Sequence, residues 1–170
     1  MPFAALILWH TKPLHFGATE LSVRLTGNTV EKVYVENDWY DGPRKGIADF
    51  NGVPHRFVAH FDELKGYEDT FSLFPISNEE LELEVEQWKI YVEWNKEYEA
   101  GKVGVESHPG HGGLIQRWDE LEKLLKQKRE LIPPNATLAK AEFGRTNQEN
   151  RYEPTGPCYG VEWKVIKQKA

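Results

Sequence analysis

Three groups of side chains in this sequence could do chemistry, and none sits in a motif that names a reaction. The first is the stretch Asp38-Trp39-Tyr40-Asp41-Gly42-Pro43-Arg44, which packs two aromatics, two acids and an arginine into one turn. Trp and Tyr are rigid amphipathic anchors and Arg supplies a planar donor fork. Trp39, Tyr40, Asp41 and Arg44 therefore suit contact with a ligand or partner. The competing reading is that Trp39 and Tyr40 plug the end of a sheet.

The second group is Glu106-Ser107-His108-Pro109-Gly110-His111. His108 and His111 beside a carboxylate could bind zinc or exchange protons. The surrounding Gly and Pro make this a loop rather than a helical platform, so an ordinary surface loop is the simpler reading. The third group is conditional on strand register. Asp41, His60 and Asp62 could hold a divalent cation if a hairpin ladder runs far enough to bring them together. If Gly42-Pro43 ends the pairing, the two carboxylates stay apart in solvent.

The familiar signatures are missing. There is no Gly-x-x-x-x-Gly-Lys-Ser/Thr loop, Gly-x-Gly-x-x-Gly turn, Gly-x-Ser-x-Gly elbow or Cys-x-x-Cys pair. No particular cofactor is implied. The lone Cys158 rules out an internal disulfide and suits a reducing, cytoplasmic setting. The apolar run Pro2 to Trp9 is too short to cross a bilayer and reads as a buried strand.

The elements that must position these groups begin with a hairpin. Asn51-Gly52 tolerates positive φ at both central positions of a two-residue turn, which matches the twist of the flanking strands. Phe50 then opposes Val53 and Ala48 opposes His55. One face carries Ala48, Phe50, Val53, His55, Phe57, Ala59 and Phe61 and is taken as the core. The other carries Ile47, Asp49, Arg56, Val58 and His60, with Asp49 and Arg56 as an exposed diagonal ion pair. Leu21, Val23 and Leu25 read as an earlier strand, and Val33 and Val35 as another, up to a break at residues 37–43.

Ser77-Asn78-Glu79-Glu80 forms a capping-box pattern that opens a long helix ended by Ala100-Gly101. Leu81, Val85, Trp88 and Val92 give it a buried stripe, and Leu83, Ile90 and Trp94 widen that stripe. A second helix is expected from Ile115 to Leu131, stopped by Pro133-Pro134. Strands follow at Leu138 to Phe143 and Tyr159 to Val165. Between them lies a polar connection, Gly144 to Pro157, long enough to be either mobile or functional. The predicted fold is α+β: one domain over 1–170, a mainly antiparallel sheet with two α-helices packed on one side.

Charge adds one constraint. From Asn78 to Ala100 eight Glu stand against Lys89 and Lys96, which accounts for the whole net charge of −6. No basic stripe stands out, so nucleic acid is disfavoured as a partner. Two functional readings follow. The first is a small cytosolic binding protein that contacts a protein partner or small ligand through its aromatic turn and acidic helix. The second is a small hydrolase using His and carboxylate groups, with or without a metal, in which His60, His108 and His111 take part.

Overall fold

The computed structural model describes residues 29–145 and 151–166. The expected strands at Pro2 to Trp9 and Leu21 to Leu25 lie outside them. Among the described residues, six antiparallel strands close into a barrel: β1 (Glu31–Trp39), β2 (Pro43–Phe50), β3 (Val53–Asp62), β4 (Gly66–Pro75), β5 (Thr137–Arg145) and β8 (Tyr159–Val165). Helices α1 (Asn78–Glu99) and α2 (Gln116–Glu130) connect β4 to β5. Two short strands, β6 (Tyr152–Glu153) and β7 (Gly156–Pro157), pair just before β8.

The hairpin register is as expected, with Phe50 opposite Val53 and continuing through Ala48–His55 to Lys45–Val58. Asn51 and Gly52 both take positive φ, as that turn requires. The α+β class holds, but the sheet is a closed barrel. Closure rests on Glu31 opposite Val161 and Lys32 opposite Gly160, a long-range pairing that alternation within either strand cannot reveal. β4, between Asp62 and Ile76, is a strand that the sequence reading did not identify.

The inward face of the barrel is filled. Phe57, Phe71, Phe143 and Trp163 form a four-ring cluster whose centroids all lie 5.7–6.1 Å apart. Val33, Ala48, Ala59, Leu73, Ala139 and Val161 close around them. Trp163 Nε1 donates to the Asp49 carbonyl at 2.9 Å, so the indole is anchored as well as packed. Among the described residues this interior is a packed core of side chains.

The outward face corrects the expectation of a solvated wall. Ile47, Arg56 and Val58 are buried there, because α1 lies against the outside of the barrel, with α2 packed on α1. Ser77 caps α1 by accepting the Glu80 N–H. The stripe of Leu81, Val85, Trp88 and Val92 packs on Val35 and Ile47. Gly101 at φ 69° ends the helix. α2 runs within one residue of its expected bounds and buries Leu121 and Leu125.

The supposed exposed pair of Asp49 with Arg56 does not form. Arg56 is 2% exposed and turns instead to Glu80 and Glu84 of α1, at 2.6 and 2.7 Å. Glu80 therefore spends its carboxylate on Arg56 rather than reaching back to complete a capping box. Arg129 of α2 grips the other oxygen of Glu84 at 2.6 Å and also meets Glu122. The result is a buried chain of charges tying the barrel wall to both helices.

Candidate functional site

One end of the barrel gathers most of the polar and aromatic groups singled out in the sequence. β1, β3 and β5 end there, and β2, β4 and β8 begin there, so the turns 40–42 and 63–65 and the segment 151–158 meet around one rim. Tyr67 at the start of β4 is the hub. Tyr40 lies against it at 5.8 Å, Phe61 meets it edge-on at 5.1 Å, and the Arg44 guanidinium sits 4.9 Å over its ring.

Backbone geometry explains the arrangement. Asp41 (φ 53°) and Gly42 (φ 128°) turn the chain between β1 and β2. Arg44 then braces the turn, donating from Nε to the Tyr40 carbonyl at 2.6 Å and from Nη2 to the Asp41 carbonyl at 3.3 Å. Strict alternation places Phe61 on the core face. It lies instead beyond a bulge between Ala59 and Phe61 and emerges at the rim, 63% exposed. Tyr40 is 61% exposed and Leu64, at the tip of the neighbouring turn, 95%.

Behind this platform is a buried acid. Glu36 of β1 accepts hydroxyl hydrogen bonds from Tyr152, at 2.9 Å, and from Tyr159. Burial pushes the Glu36 carboxyl above the ordinary carboxylate range, outweighing both tyrosines and Arg151. The same burial and the adjacent acid push both phenols up. Arg151 stacks 4.3 Å over the Trp39 ring, and Trp39 in turn contacts Tyr159 at 6.4 Å. Trp39 thus packs into the top of the barrel core, while its neighbour Tyr40 points out. Glu36, Tyr152, Tyr159 and Arg151 carried no local signal; Glu36 is distant in sequence from all three partners.

The conditional metal group does not assemble. Its premise was a β2–β3 ladder extending past Pro43, whereas the pairing stops at Lys45–Val58. Asp41 stays in the β1–β2 turn. Asp62 caps the β3–β4 turn, accepting the N–H groups of Leu64 and Lys65 at 2.9 Å each. Among the described residues no group of three or more His, Cys, Asp or Glu has the spacing to hold a metal ion.

His60 has another neighbour. Its Nε2 lies 2.8 Å from Ser72 Oγ on β4, on the outer wall of the barrel. Both line a cleft of about 410 Å³ with Asp62, Glu68 and Ile132. His108 and His111 are set apart from both places, between the helices. Their rings are 5.7 Å apart, and His108 packs against Trp94 at 4.4 Å and Trp118 at 6.5 Å. His108 Nδ1 accepts the Gly110 N–H, which places its ring proton on Nε2. Burial, helped by His111, lowers the His108 pKa.

The acidic helix is less of a free surface than its composition suggests. Glu80 and Glu84 are buried in the charge chain, Glu86 binds Arg117 at 2.6 Å and Glu97 binds Lys102 at 3.1 Å. Among the described residues no helix is long and apolar enough to cross a membrane. Compared with known proteins, the chain matches no family model, no curated protein and no solved structure.

Proposed function

We propose that the protein is a binding module that engages a protein partner through the aromatic rim of its barrel. The observation that carries this reading is the packing of Tyr40 and Phe61, each more than half exposed, around Tyr67, with Leu64 beside them. Large apolar side chains exposed next to one another are costly to keep in water and mark contact surfaces. Rigid aromatics contribute area at low entropic cost, and Arg44 holds the turn that presents them. The filled barrel interior supports surface binding over carriage of a small molecule inside.

Charge around the rim supports a basic partner segment. Across residues 38–45 and 60–69 six acids stand against three bases. The aromatic rings are also compatible with cations, since Arg44 and Arg151 already stack on Tyr67 and Trp39. This reading rests on the aromatic turn and gives the acidic helix a structural role.

The test is site-specific photocrosslinking in the source cells, with the reactive group at position 64 and a control at Leu124 on α2. The expected result is a discrete adduct from position 64 only, lost with Tyr40→Ala/Phe61→Ala and displaced by a Lys/Arg-rich peptide. No adduct at position 64, or one indifferent to the double substitution, rejects the proposal.

A further inference from the structure

We propose that Ser72 and His60 form a nucleophile–base pair that hydrolyses small carboxylic esters with an apolar acyl group, in the cleft on the outer wall of the barrel. Ser72 on β4 stands opposite Val58 on β3, and His60 lies two residues further along β3 on the same face. The imidazole reaches diagonally across the ladder to place Nε2 2.8 Å from Ser72 Oγ. That separation is the reach of a general base to its nucleophile. The paired ladder holds Ser72, and His60 projects from the bulge between Ala59 and Phe61, where irregular pairing re-aims a side chain.

Three further features of the cleft fit the chemistry. Its volume of about 410 Å³ suits a small ester. Ile132, from the connection between α2 and β5, and Phe61 supply apolar walls for an acyl chain. Asp62 and Glu68 line the same cleft and add negative charge to the space in which an imidazolium would form.

The reaction balances with water as the only co-reactant. Ser72 Oγ attacks the ester carbonyl carbon as His60 Nε2 takes the hydroxyl proton. The bond to the alcohol oxygen then breaks, and the alcohol leaves with that proton. Water attacks the acyl-serine, giving its proton to His60, which returns it to Ser72 Oγ as the carboxylic acid departs. This activity uses neither Tyr40 nor Arg44 and shares only Phe61 with the binding surface.

The test combines p-nitrophenyl butyrate hydrolysis with labelling of the full chain by an alkyl fluorophosphonate. The expected results are a burst of nitrophenol and one covalent adduct, mapped by mass spectrometry to Ser72. Ser72→Ala and the isosteric Ser72→Cys should both lose the fluorophosphonate adduct, and His60→Gln should slow labelling by about 10²-fold or more. Leu124→Ala, on the exposed face of α2 and away from the cleft, should change neither readout. A wild-type chain with neither burst nor adduct, an adduct at another residue, or hydrolysis by Ser72→Ala at the wild-type rate overturns the proposal.

Discussion

Arg56 of β3 and Glu84 of α1 form an ion pair at 2.7 Å with side chains 2% and 0% exposed, joining the barrel wall to the helix that covers it. Both charges have left water, and the pair is tolerable because each has further partners. Glu80 shares the guanidinium, while Arg129 and Asn37 share the carboxylate.

Removing one member should therefore cost more than removing both. Arg56→Met leaves Glu80 and Glu84 facing each other with less positive charge, and should destabilise the fold by about 3–5 kcal/mol. Arg56→Met combined with Glu84→Leu should recover part of that loss. Urea denaturation of the two variants and the wild type checks the order.

Two buried acids should give opposite responses to pH. Burial alone would raise Glu84, but Arg129 and Arg56 hold its carboxyl below the ordinary value of 4.5. Its contribution is present above that value and is lost as pH falls through the lowered folded one. Glu36 is raised, so its ionised form costs stability above the folded value, and that cost is relieved as pH falls through it. Glu36→Gln should thus be at least as stable as wild type at pH 7, with its advantage shrinking on acidification. Glu84→Gln should be less stable at pH 7 and should approach wild type in acid. Urea midpoints across pH 3–7 distinguish the two cases.

His108 should report on acid in a milder range. Its folded pKa lies below the ordinary 6.5, because burial disfavours the imidazolium. The stability it supports is complete above that value and declines as pH falls from there towards the folded pKa. Protonation beside Trp94 should also quench indole fluorescence. His108→Gln should remove both the fluorescence titration and that part of the stability slope; a titration unchanged in the variant would assign it elsewhere.

Gly46 should tolerate no side chain. A Cβ there would stand 2.1 Å from the Val35 carbonyl and 2.7 Å from the Phe57 ring, where β1 and β2 approach beside a register shift. The backbone carbonyl cannot swing away as a flexible side chain would. Gly46→Ala should cost about 1–3 kcal/mol or more, read as a lowered thermal midpoint.

Local elements were legible because their determinants are neighbours in the chain. Asn51-Gly52 sets the hairpin register, Ser77 starts α1, and Pro133-Pro134 follows the end of α2. Each works through positive φ, an orphan N–H or a missing donor, all within a few residues. Trp39, Tyr40, Asp41 and Arg44 were legible as a cluster for the same reason, though not that Trp39 would turn inward while Tyr40 stayed out.

The rest required distant parts to meet. Phe61 and Tyr67 join Tyr40 only because two separate hairpin turns share the rim of a closed barrel. Glu36 finds Tyr152 and Tyr159 from across more than half the chain, and His60 finds Ser72 on the neighbouring strand. Arg56 looked exposed because alternation reveals which face a residue takes, while burial of that face depends on what later packs against it. Sequence periodicity determined five of the six barrel strands, both helices and one hairpin register. Barrel closure and helix docking decided which charges were buried and which aromatics remained in water, since both are set by pairings that no local pattern encodes.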